Sequence, residues 1–308
     1  MRFDIPIPGD APFDVVGFGL NAVDHLCVVP AYPERDTKSP VLRFERAGGG
    51  QAASAMVVCA RLGLRAKYVG KVGGDEIGGF SLDSIRSEGV DVTDVAVVPG
   101  VTNQLALIVI DGRDGERTIL WHRPPEIATH PEEITAEKVA CGRVLLLDGH
   151  DAEAAARAAR LAQNRGVPVV LDAETCKDGT ADLVRATDLL VASSRFPTLY
   201  TGRDDPLEAL RAIRAEGPRF VAMTRGKDGA IALTEDGRLL ESAGFAVDAV
   251  DTTGAGDVFH GAFTYGFLKG WSVEDTLRFA NAAAAINCTA LGARGGVPGL
   301  TAIKEFMG

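Results

Sequence analysis

The chain has 308 residues, of which 46% are hydrophobic and 24% are charged, and its formal net charge is −10 at pH 7. This composition is ample for a large core, and the acidic balance disfavours nucleic acid or an anionic membrane as a partner. No apolar run approaches the length of a membrane span, the first residues lack the apolar stretch of a signal peptide, and five scattered cysteines indicate reduced thiols, so we expect a cytoplasmic protein.

Short apolar strands alternate with amphipathic helices along most of the chain. Hydrophobic patterning predicts a helix over 153–164, and it predicts strands over 13–18, 67–72, 143–147, 168–172, 188–192, 220–224 and 245–250. Such alternation is typical of a parallel sheet covered by helices on both faces. We therefore expect an α/β fold with a mostly parallel central sheet.

The first predicted strand runs into a glycine motif, Gly17-Phe18-Gly19-Leu20-Asn21-Ala22, that fits the dinucleotide pattern G-x-G-x-x-G/A. That fingerprint must open a helix, whereas this segment continues into a β-branched run and two prolines, Pro30 and Pro33. The sequence therefore disfavours a dinucleotide site. On the residues alone, Asn21 can be a turn-capping residue and Asp24 a surface carboxylate.

Two strand pairs lack intervening helices. Segments 25–29 and 42–45 form one predicted antiparallel pair, and 103–110 and 116–121 form the other. The second pair closes through the turn-rich loop 111–115. Its apolar residues predict one apolar face, made by Leu105, Leu107, Val109 and Ile119.

A glycine turn at 47–50 opens a predicted helix that ends on Gly63 as a left-handed cap. Glycine turns before helices are common, so this motif alone is weak evidence. No P-loop is present, because neither Gly70-Lys71 nor Gly226-Lys227 is followed by Ser or Thr. A nucleotide would have to be held by another loop.

Near the C-terminal end, the segment Asp251-Thr252-Thr253-Gly254-Ala255-Gly256-Asp257 lies between a predicted strand and a predicted helix. The first amides of a helix have no internal partner and attract negative charge. Asp257 falls in the first turn, where a carboxylate can accept a proton from an attacking hydroxyl. A lone Asp there could equally well only complement the helix dipole.

Segment 251–257, with 47–63 and 70–78, closely resembles the signatures of the ribokinase-like (PfkB) sugar kinases. The resemblance spans nearly the whole chain. It implies a three-layer sandwich, one domain over 1–308, with a small β lid from about 25–46 and 102–122. It also implies ATP-dependent transfer of a γ-phosphoryl group to a primary hydroxyl of a sugar.

The resemblance also implies roles for individual residues. The final Asp of the family signature is the catalytic base and the preceding amides hold the transferred phosphate, which gives these roles to Asp257, Gly254, Ala255 and Gly256. The implied substrate contacts are Asn21, Asp24, Lys38, Gly49, Gly50, Gln51, Ser54, Gln104 and His150. The implied nucleotide contacts are Thr224, Gly226, Gly229 and Asn281.

ATP and Mg²⁺ are the implied cofactors. The family commonly holds Mg²⁺ with an Asn-x-x-Glu stretch, and segment 193–198 lacks both residues, so Mg²⁺ would reach the site mainly through ATP and water. Asp251, Thr253 and loop 291–296 match the place where many relatives bind a monovalent cation such as K⁺. Gly296, however, stands where a Ser ligand often lies.

The substrate is less well defined by sequence. We expect a neutral ketohexose such as fructose, ahead of an anionic ketose such as sulfofructose or fructose 6-phosphate. The anionic alternative comes from a likeness of segments 34–38, 48–55 and 251–262 to bacterial sulfofructose kinases. Lys38 stands where those enzymes have a sulfonate-binding lysine, and His150 stands where they have its partner arginine. A nucleoside kinase and a non-catalytic sugar sensor are further alternatives, and the apolar lid predicts a homodimer.

Overall fold

Buried runs of Val, Leu and Ala form a central sheet in the computed structural model, which describes residues 1–234 and 236–308. The strands are β1 (Val15–Phe18), β2 (Ala22–Val29), β3 (Arg43–Gly49), β4 (Ala66–Val69), β5 (Lys71–Gly73), β6 (Ala96–Val98), β7 (Leu105–Asp111), β8 (Arg117–His122), β9 (Leu145–Leu147), β10 (Val169–Ala173), β11 (Leu189–Ala192), β12 (Phe220–Thr224), β13 (Ala230–Leu233) and β14 (Leu239–Ser242). The helices are α1 (Gln51–Arg61), α2 (Glu76–Arg86), α3 (Ala136–Val139), α4 (Ala152–Gln163), α5 (Thr180–Arg185), α6 (Phe196–Thr201), α7 (Pro206–Ala215), α8 (Ala255–Leu268), α9 (Val273–Asn287) and α10 (Leu300–Met307).

The main sheet has the strand order β14-β13-β12-β11-β10-β9-β1-β4. Neighbours from β12 to β4 are parallel, and β13 and β14 are antiparallel additions at one edge. One hydrophobic core lies between the sheet and α1, α8 and α9, and a second lies on the opposite face against α4 and α7. The predicted ribokinase-like α/β fold, with its mostly parallel sheet, is confirmed.

A smaller sheet of order β3-β2-β7-β8 forms the lid. The two predicted antiparallel pairs are present, and β2 joins them by running parallel to β7. The inner face is apolar, with Leu26, Ile108 and Ile110 buried beside Leu291. Ile119 pairs with Ile108 and therefore lies on this inner side, so its predicted place beside Leu107 is wrong.

The structure differs from the predicted elements at two places. Segment 245–250 is not a strand, because the N–H groups of Val250 and Asp251 donate to the carbonyl of Cys288 after α9 rather than to a sheet neighbour. The predicted strand 67–72 divides at Gly70 into β4, in the main sheet, and β5, which pairs with β6. A residue other than glycine would not fit there, since a Cβ would lie 2.3 Å from the Tyr68 hydroxyl.

The glycine motif after β1 leads into β2 and not into a helix, in agreement with the rejection of a dinucleotide site. The predicted left-handed cap is present: Gly63 has φ +86°, and the N–H groups of Gly63 and Leu64 donate to the carbonyls of Ala60 and Cys59. None of the helices in the described residues is long and apolar enough to cross a bilayer.

Candidate active site

The turn before α8 has the geometry of an anion-binding site. Gly254 caps the helix with φ +73°, and a Cβ at this position would lie 2.5 Å from the carbonyl oxygen of Ala293, so glycine is required. The backbone N–H groups of Gly256 and Asp257 have no acceptor within the part of the chain that the structure describes. A Cβ at Gly256 would contact nothing within 4 Å. These unpaired amides sit at the positive end of the helix dipole.

Asp257 lies in the first turn of α8 and is half-buried. Burial raises the pKa of its carboxyl well above the usual range, and the nearby carboxylates of Asp172 and Glu174 raise it further. His260, one turn later in the helix, lowers it. A carboxylate with a raised pKa is a stronger base than an exposed one, which suits the acceptance of a proton from a hydroxyl.

Asp24 lies on the inner face of the lid, where β2 pairs with β3. A Cβ at Gly49 would lie 2.1 Å from the Asp24 Oδ2 atom, so this glycine on the neighbouring strand leaves space for the carboxylate. Burial raises the Asp24 pKa to about 6, and Arg294 opposes part of that rise. Nearby, Asn21 Nδ2 and Gln104 Oε1 are buried without a hydrogen-bond partner among residues 1–234 and 236–308. Sugar hydroxyls both donate and accept hydrogen bonds, so a sugar would satisfy both atoms.

The N-terminal end of α1 lies beside this group. Gly50 caps the helix with φ +88°, and a Cβ there would lie 2.7 Å from the carbonyl oxygen of Leu20. Gln51 donates from Nε2 to the carboxyl of Asp172 at 3.2 Å. The hydroxyl of Ser54 accepts from Arg294 Nε at 3.0 Å. The structure thus brings together six of the residues expected to contact the substrate: Asn21, Asp24, Gly49, Gly50, Gln51 and Ser54.

Four polar residues of the site were not predicted from sequence. Asp148 follows β9 and accepts from the N–H groups of Leu20, at 2.6 Å, and Ala52, at 3.3 Å. Asp172, in β10, is buried, and its Oδ1 lies 3.4 Å from His260 Nε2. Carboxylates at the carboxyl ends of parallel strands are a recognised signal for a ligand crevice, so the two Asp residues could have been found. The remaining residues, His260 and Arg294, carry no comparable signal.

Lys38 and His150, the two residues expected to bind the anionic end of a sugar, make no hydrogen bond to each other in the described residues. Lys38 is exposed in the loop between β2 and β3, and its ammonium has no hydrogen-bond partner in the described residues. His150 follows β9, and its Nδ1 lies 3.3 Å from the ammonium of Lys177. Burial lowers the His150 pKa, with Lys177 adding to the effect. Lys177 is therefore the cation that the structure adds beside His150.

The nucleotide side is built from the ends of β12 and β14. Thr224 ends β12, and Gly226 and Gly229 both have positive φ, +58° and +88°. A Cβ at Gly229 would lie 2.1 Å from the Ser242 carbonyl oxygen, so this turn requires glycine. Asn281 donates from Nδ2 to Ser242 and Ala243 at 3.0–3.2 Å. Any contact of Asn281 with an adenine must therefore come from its carbonyl oxygen.

The candidate cation site at Asp251 and Thr253 does not fit a monovalent ion well. Asp251 Oδ1 accepts from the Thr253 N–H and hydroxyl at 2.8 and 2.7 Å, and Oδ2 accepts from the Gly292 N–H at 2.8 Å. The amide of Asn287 donates to the carbonyls of Thr253 and Ala293, both at 3.3 Å. Both oxygens of Asp251 and both of these carbonyls thus already accept hydrogen bonds from the protein, which leaves fewer lone pairs for K⁺. The described chain also contains no group of three or more His, Cys, Asp or Glu side chains placed to hold a metal ion.

The chain is similar in sequence and in fold to proteins of one known family. A model described as pfkB family carbohydrate kinase matches residues 14–299. The chain is 32% identical over 282 residues to the ATP-dependent ribose-1-phosphate kinase of Halopiger xanaduensis, covering 91% of this chain and 93% of that protein. It is 27% identical over 298 residues to the ribokinase of Haemophilus influenzae, covering 94% and 96%. The crystal structure of a protein from Agrobacterium tumefaciens, provisionally assigned as a ribokinase, has a TM-score of 0.89 at 30% identity, over 96% of this chain and 97% of that one.

Proposed function

The chain belongs to the pfkB family of carbohydrate kinases, and we propose that it transfers the γ-phosphoryl group of ATP to a primary hydroxyl of a sugar, with Asp257 as the base. The observation that carries this proposal is the position of Asp257 in the turn whose Gly256 and Asp257 N–H groups are unpaired in the described chain. A base and an anion-binding site next to each other are what phosphoryl transfer requires.

In the proposed reaction the sugar hydroxyl gives its proton to Asp257, and the hydroxyl oxygen forms a bond to the γ-phosphorus. The bond between that phosphorus and the bridging oxygen breaks, and its electron pair leaves with ADP. The N–H groups of Gly256 and Asp257 stabilise the negative charge on the phosphoryl oxygens in transfer. Mg²⁺ bound to the ATP phosphates would neutralise part of the charge on the nucleotide.

Replacing Asp257 by Asn tests the base. The Asn variant should bind ATP and sugar as the wild type does, while kcat falls by about 10²–10⁴-fold. Asp248→Asn removes an exposed carboxylate nine residues earlier and is the matched control, for which we expect wild-type kcat. Because the base must be ionised, wild-type kcat should fall as the pH drops through the raised pKa of Asp257. More than a tenth of wild-type turnover in Asp257→Asn, with chemistry rate-limiting, would show that another group is the base.

The acceptor is best explained as a neutral sugar such as a ketohexose. The side chains gathered at the acceptor end are amides and carboxylates, Asn21, Asp24, Gln51, Gln104 and Asp172, and these suit hydroxyls better than an anion. None of these five side chains is aromatic and able to stack on a nucleobase, which supports a free sugar over a nucleoside. A sugar that binds without ATP consumption would instead favour a non-catalytic sensor.

One observation favours a second candidate, an anionic sugar. The ammonium of Lys177 lies 3.3 Å from His150, and the chain resembles a protein named as a ribose-1-phosphate kinase. The test compares kcat/KM for fructose, ribose, fructose 6-phosphate, sulfofructose and ribose 1-phosphate in wild type, Lys38→Ala and Lys177→Ala. A neutral acceptor predicts little change in either variant. Loss of a charged contact should lower kcat/KM for an anionic acceptor about tenfold or more, and the variant that does so identifies the residue.

We also propose that the enzyme is a homodimer that associates through the outer face of the lid. Phe44, Leu107 and Leu120 lie on this face and are 60%, 37% and 55% exposed. Three large apolar residues on one surface of a small sheet are typical of an interaction site. Within residues 1–234 and 236–308 the lid strands pair only with one another, so a second copy would bury a face that the main body leaves in solvent.

A further inference from the structure

Arg294 lies in the loop between α9 and α10, directly behind the catalytic turn. The neighbouring carbonyl of Ala293 is the group that excludes a side chain at Gly254, and the N–H of Gly292 donates to Asp251 at 2.8 Å. This loop therefore touches the turn that carries the anion-binding amides. A movement of the loop would be transmitted to Gly254 by direct contact.

The guanidinium of Arg294 extends from this loop into the acceptor site. Nε donates to the Ser54 hydroxyl and one terminal nitrogen to the Ser84 hydroxyl, both at 3.0 Å. The other terminal nitrogen donates to the carbonyl of Gly49 and, at 3.5 Å, to Asn21 Oδ1. Four of its five N–H groups thus have protein acceptors. The guanidinium is part of the wall of the site and has little capacity left to bind a substrate anion.

Two of these partners lie at the base of the lid, where the chain enters and leaves it. Asn21 immediately precedes β2, the strand by which the chain enters the lid, and Gly49 ends β3, by which it returns to the main body. Glycine at position 48 is also needed, because a Cβ there would lie 2.5 Å from the Arg294 terminal nitrogen. Arg294 therefore joins the base of the lid to the loop that supports the catalytic turn.

The charge of Arg294 is buried without an ion-pair partner. Among the described residues no carboxylate oxygen lies within 4.0 Å of its nitrogens. Burial lowers its pKa to about 10, so it remains a cation at neutral pH, and Asp24 and then Asp257 are the opposite charges that favour this cation most. These are the two carboxylates to which the proposed function assigns sugar binding and proton abstraction.

We propose that Arg294 is a positioning residue for the kinase reaction: its buried cation fixes the base of the lid against the loop that supports the catalytic turn and offsets the negative charge of Asp24. The inference rests on the proposed function, since it concerns how that acceptor site is held. It assigns Arg294 no contact with the reacting atoms. The expected consequence is that one residue influences both sugar affinity and turnover.

The test uses Arg294→Gln and Arg294→Lys, with Arg61→Gln as matched control. Arg61 holds the same loop, donating to the carbonyl of Val297 at 2.9 Å, but its ion partner is Glu88 and it is not among the charges that act on Asp24 or Asp257. For each variant we would measure kcat, KM for the sugar, and the pH dependence of kcat/KM. Calorimetric titration with the sugar alone would run beside these assays.

Arg294→Gln should lower kcat/KM by about tenfold or more and move its acid limb to higher pH, because loss of a nearby cation raises carboxylate pKa values. Arg294→Lys should keep the limb in place while losing some affinity, since an ammonium lacks the planar fork of donors. Arg61→Gln should leave the limb unchanged. The other charges facing these carboxylates, which stay constant in all variants, are Asp251, Asp172, Glu174 and His260.

An acid limb that stays in place in Arg294→Gln would overturn the proposal, leaving Arg294 a purely structural residue. If Arg294→Gln does not fold, Arg294→Lys is the deciding variant. An acid limb of kcat/KM that is shifted by about one pH unit or more, or values of kcat and KM equal to those of the wild type, would contradict the inference. Absence of kinase activity in the wild type would contradict the proposed function instead. In that case the pH dependence of sugar binding in the calorimeter would still test Arg294 through Asp24.

Discussion

Replacing Asp24 by Asn should weaken sugar binding and at the same time stabilise the fold. Burial raises the pKa of Asp24 from its ordinary 3.8 to about 6 in the folded protein. The folded state therefore holds this proton more tightly than the unfolded chain does. At pH 7 the carboxylate must be ionised in its buried position, which costs free energy of folding; Asn, like the protonated acid, carries no charge.

The size of the effect follows from the shift. About two pKa units at about 1.36 kcal/mol each give roughly 3 kcal/mol as an upper limit at pH 7. At pH 5, which lies below the folded pKa and above the unfolded pKa, about half of this free-energy cost remains. The cost disappears as the pH falls to the unfolded pKa. The gain in stability from Asp24→Asn should thus shrink steadily as the pH is lowered from 7 towards 4.

The assay is urea unfolding of wild type and Asp24→Asn at several pH values, with KM for the sugar measured on the same samples. Asp14→Asn is the control of opposite sign, since hydrogen bonds from Arg65 lower the Asp14 pKa and its carboxylate therefore contributes stability at neutral pH. A stability gain of Asp24→Asn that does not depend on pH, or a loss at pH 7, would refute the reasoning. A KM for the sugar that is unchanged in Asp24→Asn would show that Asp24 does not bind the sugar.

Two further predictions concern cations and assembly. Protein groups already donate to the oxygens of Asp251, and the amide of Asn287 donates to the neighbouring carbonyls. Exchange of K⁺ for tetramethylammonium at constant ionic strength should therefore leave kcat within about twofold. A loss of more than about tenfold would show that a cation displaces these donors. If the lid forms the dimer interface, the double variant Phe44→Glu, Leu107→Glu should be a monomer by light scattering, with a melting temperature close to that of the wild type. A wild-type protein that is monomeric at micromolar concentration would disprove the interface.

The sequence predicted the elements whose patterns are local. Buried strands such as β10 and the capped helices α1 and α8 follow from period and glycine position, and these elements bring Asp257 and Gly50 to one side of the sheet. The segment 245–250 has an alternating pattern but is not a strand, because its N–H groups donate to the end of α9. An alternating side-chain pattern does not determine which acceptor the backbone N–H groups will bond to in the folded protein.

The part of the site that could not be predicted depends on long side chains crossing between elements. Arg294 and His260 are each surrounded in sequence by residues typical of a loop or a buried helix, and nothing in their local pattern marks them. Their partners Ser54, Ser84 and Asp172 are distant in sequence. Ile119 illustrates a related limit, since the register that turns it inward is set by the hairpin as a whole.

The electrostatic design of the acceptor site explains why these unpredicted residues matter. In the proposed mechanism, a base for proton abstraction and a carboxylate for sugar hydroxyls place two negative charges where a triphosphate must also approach, which disfavours nucleotide binding. Burial disfavours the ionised form of Asp172 and raises its pKa well above the ordinary value, and Arg294 supplies a positive charge that acts on Asp24. Neither Asp172 nor Arg294 is proposed to contact the transferred phosphoryl group. In the proposed mechanism Asp257 can therefore act as a base because the surrounding residues reduce the negative charge that would otherwise accumulate beside it.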